Sequence, residues 1–283
     1  MQLPIRSVVF EVFQFLWDNR LDLLRMMAAP VLALSIVGIA ISPLFRSGTP
    51  PETFADLSGL QALGVFLAVA LPTVFYVMFA VAWHRRCLKS EEQTTILSAL
   101  KWDRRKTIFL GRLIVITFAA LAVSLPPTLI GVIAGGGAAM GLAAGGVAGP
   151  STADTLLQLA KAAVGLLILL VQARLALWLP AAALDQKLTI MEAWVLGRRN
   201  SWRLVAIFLL SVAPAMLAAV LVSSAFQGIA QATGLANTLT FRFVVSLALN
   251  FVYYIVIAAS VSALSISYRE LRRPPNRGMP YYA

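Results

Sequence analysis

Long apolar runs alternate with short polar stretches along the whole chain, and their spacing predicts helices. In residues 4–25, Val8, Val9, Val12, Phe13, Leu16 and Trp17 recur at helical spacing, with Glu11, Asp18, Arg20 and Asp22 between them. This predicts one amphipathic helix lying at a membrane interface with its aromatic residues shallowly buried. Residues 26–45 then carry no charge, about the length needed to cross roughly 30 Å of hydrocarbon. Pro30 falls near the start of that run, where a missing amide costs least. A second uncharged run, residues 57–83, stops at His84-Arg85-Arg86.

The third run, residues 113–153, is long enough for two crossings but is broken by Pro126-Pro127 and becomes Gly/Ala-rich. Gly137, Gly141, Gly145 and Gly149 recur every four residues. On a helix that is a face allowing close backbone approach; the alternative for residues 134–149 is a flexible loop. A fourth run, residues 157–184, contains Lys161 and Arg174. The fifth, residues 204–241, contains Pro214, and the sixth, residues 243–268, contains Asn250 near its middle.

Composition fits a lipid solvent. Of the 283 residues 60% are hydrophobic and 12% charged, with a mean hydropathy of +0.84, against about 25% charged in soluble domains. One cysteine, Cys87, excludes a disulfide framework within one chain. The net charge of +11 would suit nucleic acid in a soluble protein, but its distribution points to the membrane surface. With six spans and both termini on one side, that side holds eighteen Lys/Arg and the other only Arg46 and Arg242. Splitting either long run would destroy the asymmetry, so six spans with cytoplasmic N and C termini are expected. Three acids before the first uncharged run argue against a secretory signal and for a retained N-terminus.

The polar stretches repeat. Thr189 to Arg203 reads Ile-x-x-Ala, then Trp194, then Arg198-Arg199, before an apolar run. Ile96 to Arg105 has the same Ile-x-x-Ala lead to Arg104-Arg105, and Trp17-Asp18-Asn19-Arg20 echoes Trp102-Asp103-Arg104-Arg105. The expected fold is an all-α integral membrane domain over residues 1–268. Three repeats (about 1–86, 87–184 and 185–268) each comprise an interfacial amphipathic helix and two spans. Residues 269–283, with four arginines and three prolines, are expected to form a disordered cytoplasmic tail.

Chemistry is sparse. His84, the one histidine, has Cys87 three residues on but no Asp or second His at ligand spacing to complete a metal site, and is expected at the interface. No span holds Asp or Glu, so the carboxylate relay of proton pumps is missing. Ser98-Ala99-Leu100-Lys101 has Ser-x-x-Lys spacing but no Ser-Asp-Asn or Lys-Thr-Gly partner, and no nucleophile elbow or zinc-protease motif occurs. The expectation is a non-enzyme without catalytic, cofactor-binding or metal residues. Thr189 and Glu192 have capping-box spacing at the start of a helix. Arg104, Arg105, Arg198, Arg199 and Arg203 form a basic collar, read either as topology anchoring or as contacts to anionic lipid headgroups. Arg174, Gln172 and Asn250 are the intramembrane polar positions. Arg174 snorkels to the interface if its helix stops before Pro180, and otherwise sits near mid-depth at a cost of roughly 2.5–3.5 kcal/mol.

The sixfold plan, the run Arg174-Leu-Ala-Leu-Trp-Leu-Pro180, and Ala193-Trp194 leading to Arg198-Arg199-Asn200-Ser201-Trp202-Arg203 resemble a group of bacterial multi-pass proteins. They are similar to the membrane domain of some glycerophosphoryl diester phosphodiesterases and to YciC-like inner-membrane proteins. The resemblance implies the bacterial inner membrane. The phosphodiesterase domain is missing here, and one histidine cannot rebuild its metal site. Two functions stay open: a scaffold or envelope-maintenance component whose collar gathers anionic lipid, or a carrier or flippase-like protein for a lipid or small amphiphile. A lipid-acting enzyme is a distant third, and nucleic acid is not an expected partner.

The topology is directly testable. In a Cys87→Ser background, cysteines placed at Arg86, Lys101, Lys187 and Arg273 should react only with membrane-permeant reagents in intact cells, and one at Ser151 with impermeant ones. Labelling of Lys187→Cys from outside overturns the six-span arrangement.

Overall fold

The computed structural model describes residues 2–45, 58–89, 99–142 and 152–273. Among these the chain is helical, with no strand: α1 (Ile5–Asp18), α2 (Arg20–Ile41), α3 (Gly59–Leu88), α4 (Arg104–Leu142), α5 (Thr152–Leu175), α6 (Trp178–Ala183), α7 (Ile190–Gly197), α8 (Ser201–Thr233) and α9 (Leu239–Arg272). Short 3-10 turns follow α2 and α8. Six helical stretches are long and apolar enough to cross a membrane: Arg20–Ile41, Gly59–Leu88, Arg104–Leu125, Ala162–Ala183, Ser201–Thr233 and Leu239–Arg272. The six apolar runs of the sequence therefore each become one such stretch.

Several boundaries differ from the sequence expectation for identifiable reasons. Residues 4–25 are not one helix: the chain breaks at Asn19 (φ −105°, ψ 21°), whose Nδ2 donates to the Phe15 carbonyl at 2.8 Å. That side-chain bond competes with helix propagation, and α2 starts at Arg20. Pro30 consequently lies well inside α2 rather than near its start, where apolar surroundings and neighbouring helices tolerate it. The Gly/Ala-rich stretch is helical as far as Leu142, and residues 143–149 lie outside the described residues. The first residues of the expected tail are helical, since α9 carries Arg269 and Arg272 in its last turn; residues 274–283 lie outside the described residues. So do Ile96 and most of the Ile96–Ala99 copy of the repeat.

Caps were legible. Thr189 and Glu192 form the reciprocal capping box of α7: Thr189 Oγ1 accepts from Glu192 N at 3.2 Å, and Glu192 Oε2 accepts from Thr189 N at 2.7 Å. The Thr189 backbone N–H holds the Glu192 carboxyl below the usual carboxylate range. Ser58 and Gln61 do the same for α3. α8 ends on Gly234 at φ 68°, a left-handed position suited to glycine. α5 stops at Leu175 because Pro180 has no amide to offer the Ala176 carbonyl; Leu179 N takes that carbonyl at 3.0 Å in a tighter turn.

The core is gathered towards one end of the bundle. The buried residues of α3 fall mainly between Val77 and Cys87, those of α9 between Val252 and Tyr268, and those of α8 between Ser201 and Val212. Trp83 is fully buried at its centre. Its ring lies 5.9 Å from Phe79 and 5.4 Å from Phe15 of α1, and its Nε1 donates to Ser262 Oγ at 2.9 Å. Val8 and Val12 of α1 pack with Leu204 and Ile207 of α8 and Ile266 of α9. Away from this end, Leu60, Phe66, Leu121, Leu125, Leu217 and Leu221 are exposed. Such surface suits hydrocarbon, which gives helices no hydrophobic reason to close on one another.

Trp83 thus ties α1, α3 and α9 together. Trp83→Ala should lower unfolding stability by about 3 kcal/mol, read as a reduced thermal midpoint in one fixed detergent. Leu121→Ala, on an exposed face, should leave the midpoint unchanged.

Candidate functional site

The packed end carries a network of arginines centred on the turn between α6 and α7. Asp185 occupies the left-handed region (φ 58°), which Asp tolerates better than most residues. Its carboxylate pairs with Arg105 of α4 and lies 3.9 Å from the Arg85 guanidinium of α3, whose side chain is almost fully buried. Arg85 NH1 also donates to the Ala183 carbonyl at 3.0 Å. Next along the turn, Gln186 accepts through its side chain from Tyr268 OH at 2.6 Å and from Arg272, both of α9. Arg112 of α4 reaches the same turn: NH1 donates to the Trp178 carbonyl at 2.7 Å, and its guanidinium sits 4.8 Å from the Trp178 ring centroid. Two consecutive side chains therefore gather arginines from three helices.

A second set of contacts fastens the first residues to the same end. Leu3 N donates to Asn200 Oδ1 at 2.9 Å, and Arg203 NH1 donates to the Leu3 carbonyl at 2.7 Å. Arg86 pairs with Asp22 at 3.0 Å, and Arg269 pairs with Glu11. Lys106 is buried with its Nζ on the Ala99 carbonyl at 2.8 Å and on that of Lys101.

The collar residues divide accordingly. Arg104, Arg198 and Arg199 are exposed, with Trp102 and Trp202 exposed beside them. Arg105 and Arg203 are half-buried and bonded within the protein.

Arg174 is half-buried and bonded within the protein, and its helix stops before Pro180. It lies in the last turn of α5, its Nε donating to Ser201 Oγ at 2.6 Å and its guanidinium 4.5 Å from the Trp194 ring centroid. Gly197 permits this approach, since a Cβ there would lie 3.1 Å from Arg174 Cγ. Asn250 bonds Ser35 at 3.0 Å and Ser246 at 3.3 Å, and borders a cavity of about 580 Å³ beside Gly38, Pro72 and Tyr253. Gln172 borders a different, mostly apolar cavity of about 240 Å³ with Tyr76, Ile116, Phe208 and Ser260. The three intramembrane polar residues are not brought to one path. The Lys161 side chain lies outside the described residues.

His84 is fully buried among the helices. Ser265 Oγ donates to the Val261 carbonyl at 2.8 Å, so His84 Nδ1 donates to Ser265 at 2.7 Å. Among the described residues no cluster of three His, Cys, Asp or Glu side chains could hold a metal ion.

Sequence reasoning passed over Arg85, Arg112, Asp185, Gln186 and Arg272. One signal was available: Arg105 and Arg112 are seven residues apart, two helical turns, and so share a face. Nothing local marks the Asp185–Gln186 turn as their common acceptor.

The fold and this rim together define a multi-pass α-helical membrane protein with an arginine-rich, well-packed end. Comparison with protein-family models, curated proteins and solved structures finds no match to the chain.

The turn can be tested by substitution. Asp185→Asn keeps a residue that tolerates positive φ but removes the carboxylate that Arg85 and Arg105 share, leaving Arg105 with Asp103 at 4.0 Å, and should cost about 1–2 kcal/mol. Asp185→Ala should cost about 1 kcal/mol more, because alanine resists the left-handed conformation. Thermal midpoints should fall in the order wild type, Asn, Ala.

Proposed function

We propose that this chain is a non-enzymatic membrane scaffold or envelope-maintenance component whose basic end faces the cytoplasm and holds anionic lipid headgroups. The observation that carries the reading is the division of the collar: Arg104, Arg198 and Arg199 stay exposed while neighbouring arginines bond within the protein. Trp102 and Trp202 beside them suit the headgroup level. Cytoplasmic placement of both termini is supported by the excess of basic residues on that side. The bacterial inner membrane enters through the resemblance to the phosphodiesterase-associated and YciC-like proteins. The threefold repeat belongs to the same proposal, supported by a short helix before α2 and α3 (α1) and another before α8 and α9 (α7).

The carrier reading keeps one supporting observation, the interior cavity beside Gln172. It is the weaker of the two, because Gln172 and Asn250 border separate cavities and Arg174 is bonded to Ser201.

Each exposed arginine near an anionic surface contributes about 1 kcal/mol, screened beyond roughly 8 Å at physiological salt. The variant Arg104→Gln/Arg198→Gln/Arg199→Gln should therefore lose most retained cardiolipin and phosphatidylglycerol in native mass spectrometry at low salt. The difference from wild type should shrink at high salt. Equal retention by both proteins reduces these arginines to topology determinants.

A further inference from the structure

The end of α9 forms a cleft of about 460 Å³ with the α6–α7 turn and the end of α3. Arg269, Arg272 and Arg273 line it with Tyr268 and Gln186 on the polar side and Leu88 and Leu184 on the apolar side. No acid is among the lining residues. We infer that this cleft is a discrete binding site for a phosphate group. The inference deepens the reading of the basic end as an anionic-lipid face and rests on it, but it assigns the binding to residues outside the collar.

Basic side chains in the last turn of a helix have an ordinary use, complementing the helix dipole. Two features exceed that use. Arg272 turns away to the neighbouring segment: NH1 donates to Gln186 and to Tyr268 OH at 2.7 Å, and the guanidinium lies 5.5 Å from the Tyr268 ring centroid. Those acceptors are neutral; the Glu192 carboxylate acts on Arg272 only through space, and Arg272 forms no ion pair among the described residues. Its Nε and NH2 make no hydrogen bond among them either. Arg269 is the second feature. NH2 pairs with Glu11, yet its buried Nε has no hydrogen-bond partner among the described residues.

Charge sets the sign of the ligand. Glu11 and Glu270 pair with two of the three guanidiniums, through Arg269 and through Arg273 at 3.0 Å, leaving Arg272 without an ion-pair partner among the described residues. Planar guanidinium forks suit an anion presenting several oxygens, and phosphate does so at higher charge than carboxylate. The adjoining leucines fit the apolar part of a lipid, while the cleft also admits the free anion. A lipid headgroup and inorganic phosphate share the recognised chemistry and differ only in source.

The test uses the purified full chain in one detergent. Thermal midpoints are measured in inorganic phosphate and in chloride of equal ionic strength. Occupancy by dioleoyl phosphatidic acid, against phosphatidylcholine, is measured by native mass spectrometry. Arg272→Gln/Arg273→Gln should weaken binding of the phosphate-bearing species by about tenfold or more. Arg104→Gln/Arg198→Gln/Arg199→Gln should leave any shift induced by inorganic phosphate intact. A shift with inorganic phosphate assigns the site to the free anion, and selective phosphatidic acid occupancy without that shift assigns it to a headgroup. Because Arg272 also bonds Gln186, Arg273→Gln and Arg272→Lys are measured alongside, and each should lose affinity severalfold. Undiminished binding in the double variant overturns the site, as does a loss there that neither single variant shares. If the cleft variants bind normally while the collar variant sheds lipid, the collar reading survives alone. If the cleft variants lose phosphate while the collar variant keeps its lipid, the cleft survives alone.

Discussion

An arginine at the end of a membrane-spanning helix must either reach water or find acceptors inside the protein. In this chain the second solution organises the packed end. Arg85, Arg105, Arg112 and Arg272 come from α3, α4 and α9, and all reach the few residues between α6 and α7. A short turn can serve so many donors because its backbone is not consumed by a helix. The Gln186 carbonyl is open to Arg112 at 3.4 Å, its side chain to Arg272 and Tyr268, and the Asp185 carboxylate to two guanidiniums. Pro180 contributes indirectly by ending α5 early and allowing the chain to turn.

This arrangement matters more in lipid than it would in water. Between apolar helices in hydrocarbon no hydrophobic force favours contact, so close packing and polar bonds must hold the bundle. The buried positions of α3, α8 and α9 duly concentrate where the arginine network lies. Trp83 joins the two by packing on Phe15 and Phe79 while bonding Ser262. Away from this end the helices present leucine and phenylalanine outward, and a cavity opens beside Asn250.

The split between bonded and exposed arginines separates two roles that composition alone merges. Arg105 and Arg203 belong to the protein's own structure, and Arg104, Arg198 and Arg199 are available to an anionic surface. Arg269, Arg272 and Arg273, which the sequence assigned to a tail, instead close a cleft against the α6–α7 turn. Arg174, an intramembrane polar position in the sequence, is bonded within the protein. Its approach to Trp194 and Ser201 depends on Gly197 lacking a side chain.

The sequence by itself determined the class and the element plan. Apolar run length and charge spacing respond to the bilayer alone, so six spanning stretches were legible, as was the capping box of α7, a contact between residues three apart. Local reading failed where two local signals competed: at Asn19, whose side chain breaks a helix that its neighbours' periodicity continues, and at Pro30, misplaced as a result. Partner choice was decided only by the tertiary structure. Asp185 is 80 residues from Arg105, Gln186 is 82 from Tyr268, and Arg269 is 258 from Glu11. Every arginine has the same chemistry in sequence. Which of them is spent inside the protein, and which remains free to meet a lipid, depends on the helix end that packing brings beside it.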